Sequence, residues 1–111
     1  MNFLKVAAAS AFLLASSTYA FADPVEGTWA RPDGTLEIIS KCGSAYCVTV
    51  GSGEYKGNKA GSFTKQADGT YKGKITQQAT GITFSGTATV KGGTLSLSAL
   101  MGLKKENWTR K

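Results

Sequence analysis

The chain has 111 residues, with 13 Lys and Arg against seven Asp and Glu, no His, and a net charge of +6. A chain of this length makes one domain. The missing His removes the commonest general base, the Ser-His and Cys-His nucleophile pairs, and the usual metal ligand.

Met1 to Lys5 carries a single charge, Lys5, and Val6 to Ala15 is apolar and uncharged. Ser16 to Tyr19 then leads to the small-residue pattern Ala20-Phe21-Ala22. This order predicts a secretory signal peptide, residues 1–22, cut after Ala22, and a periplasmic or secreted mature protein. The apolar run is shorter than the roughly 20 residues that span a bilayer, and no transmembrane segment is expected in the mature chain. No Cys follows the cut, which argues against a lipid anchor. Residues 23–111 form the predicted single domain. Only Lys5 is lost from the charges, so twelve basic residues face seven acidic ones, a net +5. So small a domain buries only about 60–65% of the surface its unfolded chain exposes, and a covalent staple would help it.

Strands are expected at about 25–31, 35–41, 46–51, 61–66, 70–77, 82–90, 94–100 and 103–110. The segment Ser52 to Ala60 is the weakest to place. Its Tyr55-Lys56-Gly57 echoes Tyr71-Lys72-Gly73, which would allow a strand of its own. Three hairpin signals share one pattern: Pro32-Asp33-Gly34-Thr35, Ala67-Asp68-Gly69-Thr70 and Lys91-Gly92-Gly93-Thr94. Alternation of period two follows each of them, and no helical period occurs after residue 22. The residues expected to face inward are Trp29, Leu36, Ile38, Tyr71, Ile75 and Ile82, then Phe84, Leu95, Leu97, Met101 and Trp108. Regular short strands joined by tight turns predict an all-β fold, a small antiparallel up-and-down barrel of seven or eight strands, whose closure removes exposed edges. Eight strands enclose an interior that side chains just fill or that holds one small ligand. Tyr71, Phe84, Leu97 and Met101 are the candidate lining of such a pocket.

Cys42 and Cys47 enclose four residues, and both lie in the exported part with no third Cys. An oxidising compartment favours a disulfide between them. The other readings are a redox pair, which favours a two-residue spacing, or a metal site, which needs more ligands than this pair supplies. The acids are scattered. Asp33 and Asp68 sit in turns, and nothing brings two of Glu26, Glu37, Glu54 and Glu106 together as a glycosidase pair. No phosphate-binding loop is present. The expectation is a protein that is not an enzyme and uses no cofactor or metal. Its basic charge fits outward lysines that keep a β-protein soluble, or an acidic envelope component as partner. Export argues against nucleic acid.

The first strand contains Gly27-Thr28-Trp29 and the last Trp108-Thr109-Arg110. A G-x-W in the first strand with a late Arg resembles lipocalin-like barrels, in which the Arg packs over the Trp and closes one end. Gly27, Trp29, Trp108 and Arg110 are the closure residues this implies. The plainer reading is two core tryptophans and an Arg in solvent. More specifically, the mature chain resembles the exported bacterial proteins grouped as domain of unknown function 2147. Asp23-Pro24-Val25-Glu26-Gly27-Thr28-Trp29, Asp33-Gly34, Cys42-Gly43 with Cys47, and Asp68-Gly69-Thr70-Tyr71-Lys72-Gly73-Lys74-Ile75 carry the likeness. Gly81, Phe84-Ser85-Gly86 and Trp108-Thr109-Arg110 complete it. The resemblance implies a small lipocalin-like barrel and assigns no activity. Two departures stand out: Val48 replaces the glycine usual after the second Cys, and the usually Pro- and Asp-rich central segment shrinks to Val48 to Ser62. Two functions remain open, a barrel holding a small apolar ligand and a structural or interaction protein of the envelope with a filled interior.

Overall fold

The computed structural model describes residues 23–111. The expected signal peptide falls on residues 1–22 and lies outside the described residues. Eight strands follow in chain order: β1 (Gly27–Ala30), β2 (Leu36–Cys42), β3 (Ala45–Val50), β4 (Lys59–Lys65), β5 (Tyr71–Gln77), β6 (Ile82–Lys91), β7 (Thr94–Ala99) and β8 (Lys104–Arg110). A 3-10 turn, Leu100–Gly102, joins β7 to β8. Each strand pairs antiparallel with the next, and β1 pairs with β8, so the sheet is a closed up-and-down barrel. No helix among the described residues is long and apolar enough to cross a membrane.

The turns form where Asp competes for backbone N–H groups. Asp33 Oδ1 accepts from the Thr35 N–H at 2.8 Å, and Asp68 Oδ1 accepts from the Thr70 N–H at 3.0 Å. The Thr70 hydroxyl and N–H at Asp68, and the Thr35 N–H at Asp33, hold both carboxyls below their ordinary pKa, which is the expected role of Asp in a turn. The segment Gly51 to Asn58 is a loop and not a ninth strand. It is tied shut by Gly57 N–H to the Val50 carbonyl at 2.8 Å and Val50 N–H to the Asn58 carbonyl at 2.9 Å. At the start, β1 begins at Gly27, because Asp23 to Glu26 turns across the barrel end, with Glu26 N–H donating to the Asp23 carbonyl.

The interior is filled at mid-height by Trp29, Ile39, Val48, Phe63, Ala88, Leu95 and Trp108, all essentially inaccessible to solvent. A bulge in β4 at Ala60, where Val48 pairs with Gly61 but Thr49 with Lys59, shifts the register and turns the Ala60 side chain into the core. Gly73 sets the spacing of β4 and β5. A Cβ there would lie 1.8 Å from the Ser62 carbonyl oxygen, so any side chain would force these strands apart.

Several inward assignments are corrected. In β2 the parity is reversed: Glu37 and Ile39 are buried, while Ile38 is exposed and Leu36 lies on the outer face. The register is the cause. Glu37 lies opposite Trp29 and Ile39 opposite Gly27, and directly opposed residues share a face, so an inward Trp29 carries Glu37 inward. Outside, Leu36 and Ile38 pack on Gly51, where a Cβ would come within 3.3 Å of both. Ile82 keeps inward parity but lies where β6 runs beyond its pairing with β7, and it is 52% exposed. Met101 belongs to the 3-10 turn and is fully exposed.

Cys42 and Cys47 are joined by a disulfide across the β2–β3 hairpin, with Cα atoms 5.8 Å apart. Cys47 lies opposite Ser40 and Cys42 opposite Ala45, so the bridge runs diagonally on the outer face. The loop it closes is short. Replacing both residues, Cys42→Ser with Cys47→Ser, should therefore lower unfolding free energy by only about 2 kcal/mol in denaturant titration, leaving a folded barrel. Loss of the fold would mean that the disulfide carries far more than loop entropy.

Candidate functional site

The β1–β8 seam has only two register pairs, Trp29 with Arg110 and Ala30 with Thr109, the shortest pairing in the barrel. Side chains complete what the backbone leaves short. The Arg110 guanidinium lies 4.3 Å from the Trp29 ring centroid. Its Nη1 donates to the Glu26 carbonyl at 3.0 Å, and its Nη2 donates to the Pro24 carbonyl. Gly27 makes room for this contact, since a Cβ there would lie 2.8 Å from Arg110 Nη1. The Arg110 N–H points away from β1, to the Gly93 carbonyl. The Trp29–Arg110 pair is therefore of the non-hydrogen-bonded kind, in which opposed side chains come closest. The same register, one step on, sets Arg31 against Trp108, and the Arg31 guanidinium is 5.9 Å from that ring. Trp29-Ala30-Arg31 and Trp108-Thr109-Arg110 thus face each other in opposite directions, each Arg covering the other strand's Trp.

The two arginines end in different surroundings. At the Arg110 end the barrel is sealed. Asp23 accepts hydrogen bonds from the Tyr46 hydroxyl at 3.1 Å, from Lys65 Nζ at 2.9 Å and from the Tyr71 hydroxyl. Val25 fills the space beneath them with no exposure, and its carbonyl accepts from Trp29 Nε1 at 2.9 Å. Burial acts to raise the Asp23 pKa, but these donors and the Val25 N–H outweigh it and hold the carboxyl below 3.8. Asp23 accordingly stabilises the fold above that pH and loses its contribution as the pH falls through its lowered pKa. Burial and the neighbouring carboxylate push Tyr71 well above its ordinary value.

At the Arg31 end the barrel is open. A cavity of about 60 Å³ lies between apolar walls formed by Ile75, Phe84 and Leu97, with Gly86 and Ala99 contributing little bulk. The three large residues stay half-buried, so the cavity meets solvent. Arg31, Lys104 and Glu106 stand around it. Arg31 Nε donates to Glu106 Oε1 at 3.2 Å and Nη1 donates to Glu37 Oε2 at 3.3 Å. Trp108 Nε1 donates to the same Glu106 oxygen at 2.7 Å. Burial works against the Arg31 charge, yet Glu106 and Glu37 together raise its pKa. Glu37 differs. It is 1% exposed, and burial raises its pKa although Arg31 pulls the other way. Its Oε1 has no hydrogen-bond partner. One Arg shared between two carboxylates does not fully compensate the buried one.

Of the four expected lining residues, Phe84 and Leu97 line this cavity. Tyr71 does not: it is core at the sealed end, held there by Asp23, with its ring edge-on to Tyr46 at 5.9 Å between centroids. Met101 stands outside, on the turn after β7. Gly27, Trp29, Trp108 and Arg110 meet at the seam as the lipocalin-like pattern implies. The expectation that no two of the four glutamates meet is corrected: Glu37 and Glu106 share Arg31, and neither Arg31 nor Asp23 is among the expected site residues. The repeated Trp-x-Arg was the available signal for Arg31, and an antiparallel seam would have placed it against Trp108. Nothing in the alternation of β2 pointed to a buried Glu37. No protein-family model, curated protein or solved structure matches the chain.

Two outcomes are expected from this geometry. Arg110→Ala should destabilise the protein by at least about 1 kcal/mol, through lost stacking and two lost hydrogen bonds. Arg110→Lys should recover only part, because an ammonium does not stack as a plane; an unchanged melting temperature in the Ala variant would contradict the closure. Glu37→Gln acts in the other direction. A carboxyl whose folded pKa is raised stabilises the fold below its ordinary value of 4.5 and loses that contribution as the pH rises through the folded pKa. Gln copies the neutral form, and Arg31 retains Glu106. The variant should therefore melt higher than the parent at pH 7, and the difference should shrink toward pH 4. A variant that melts lower at pH 7 would show that the ionised pair is a net stabiliser.

Proposed function

We propose that this chain is an exported, non-catalytic binding barrel that takes the apolar end of a small ligand into the cavity between Ile75, Phe84 and Leu97. The observation that carries the reading is the asymmetry of the barrel: one end is sealed by Asp23, Val25 and Arg110, and the other keeps half-buried apolar walls open to solvent. At 60 Å³ the cavity is well below the roughly 150 Å³ that holds benzene, so it suits a short aliphatic group and not a whole lipid. Arg31 is already paired with two carboxylates. Lys104 and Lys105, which have no ion-pair partner among the described residues, are the cations left to meet an anionic head. The uncompensated Glu37 beneath the rim fits a site that keeps a polar arrangement at some cost in stability.

Export is part of the same reading. With a cut after Ala22, the Asp23 nitrogen becomes an ammonium, and it lies 3.0 Å from Glu26 Oε2, where that charge is well received. We also read the chain as a shortened relative of the exported proteins grouped as domain of unknown function 2147, on the order of its motifs alone.

Hexanoate is a suitable probe. In an NMR titration it should shift backbone amides of β5, β6 and β7 at the open end in a saturable manner. Leu97→Trp, which fills the cavity, should weaken binding at least about tenfold while the protein stays folded. No saturable shift, or equal binding by the filled variant, would return the barrel to a filled envelope component without a ligand.

A further inference from the structure

The turn between β7 and β8 presents Leu100, Met101 and Leu103 to solvent, 47%, 103% and 89% exposed. None of them contributes to the core. The backbone is costly as well: Leu100 and Met101 have φ of 52° and 55°, the left-handed region that Gly or Asn occupies with least strain, and Gly102 follows at 90°. Two large apolar residues therefore stand where both water and backbone conformation disfavour them. Neither packing nor turn chemistry accounts for their presence.

The surroundings are basic. Lys104 and Lys105 follow the turn directly, and both are exposed. On the outer face of the barrel Met101 and Gly102 border a groove that also holds Lys72 and Lys74, with Ser85, Thr87 and Ser98 and no acidic residue. Ile82, at the overhanging start of β6, adds a further exposed apolar side chain at the same end of the barrel. Every aromatic residue of β4 to β8 (Phe63, Tyr71, Phe84 and Trp108) has inward parity, so this face offers no stacking platform for a nucleic acid. The feature is a short protruding turn with apolar tips and a collar of lysines, not a flat or grooved apolar surface for another protein.

We propose that this turn docks the protein on an anionic phospholipid bilayer. Leu100, Met101 and Leu103 enter the boundary between headgroups and acyl chains, and Lys72, Lys74, Lys104 and Lys105 meet the lipid phosphates. Apolar insertion and attraction to anionic headgroups are the two contributions that hold peripheral segments on such surfaces, and neither suffices alone. Docking by this turn faces the open end of the barrel toward the membrane. It shares Lys104 and Lys105 with the cavity reading, but Leu100, Met101 and Leu103 line no part of that cavity, so failure to bind vesicles through this turn would leave hexanoate binding untouched.

Co-sedimentation with vesicles of equal parts phosphatidylglycerol and phosphatidylcholine tests the proposal. The parent protein should pellet with them, should pellet poorly with phosphatidylcholine alone, and should be released at about 0.5 M salt. The triple variant Leu100→Asn, Met101→Asn and Leu103→Ser relieves the left-handed strain and removes the apolar tips. It should melt at or above the parent temperature and bind at least about tenfold more weakly. In a second variant, Met101→Trp, emission should shift to the blue when these vesicles are added, since Trp29 and Trp108 are already buried. Absence of vesicle binding by the parent, equal binding by the triple variant, or no emission shift would overturn the proposal. So would a lipid-independent dimer that the triple variant abolishes, which would make the turn a contact between copies of the chain.

Discussion

A closed barrel must join its first strand to its last, and here the backbone does little of that work. Only two register pairs link β1 to β8, where the other neighbouring strands share four to seven. The joint is made by two Trp–Arg contacts running in opposite directions across it. Each contact is worth about 0.5–2 kcal/mol according to how far it is desolvated, which is considerable for a domain of marginal size. The arrangement also fixes register. A slip of one residue along the seam would put Trp29 and Trp108 on opposite faces of the sheet and pull one of them out of the core.

The register at the seam explains features that would look unrelated. With Trp29 inward, Glu37 opposite it must be inward too, and a carboxylate in that position needs a cation. Arg31, two residues after Trp29, is the cation within reach, and Glu106, two residues before Trp108, shares it. The buried acid, the shared Arg and the rim of the cavity are thus consequences of one pairing. At the other end the same pairing aims Arg110 at the carbonyls of Pro24 and Glu26, which brings the Asp23 segment across the barrel and closes it. The sealed end and the open end therefore trace to the same two Trp-x-Arg segments, run in opposite directions.

Much of the fold was legible before the structure. The Asp-Gly-Thr turns, the period-two strands and the G-x-W and W-x-R ends point to seven or eight strands and a closed meander, and the barrel has eight. The hairpin between Cys42 and Cys47 was equally plain. The parity of β2 was not legible, because Leu36-Glu37-Ile38-Ile39 carries apolar residues on both faces and hydropathy favoured the wrong one. The choice is made by the register with β1, whose own facing is fixed by the distant β8. The place of Tyr71 is illegible for a related reason: a buried tyrosine suits a pocket or a core, and its hydroxyl partner Asp23 lies 48 positions away. Leu97 and Phe84 are legible because their strands alternate cleanly. Met101 continues such an alternation in the sequence, but β7 ends at Ala99 and the chain turns there.

Side-chain closure should make a seam with minimal backbone pairing as firm as the rest of the barrel. Amide hydrogen exchange of the parent protein measures this residue by residue. The Lys111 N–H, which donates to the Thr28 carbonyl across the seam, is the reporter. It should exchange with protection comparable to the β2–β3 ladder, despite its place at the end of the last strand. Exchange at the rate of an unprotected terminus, with β2 to β7 still protected, would show a sheet that opens between β1 and β8 and would contradict closure by the Trp–Arg pairs.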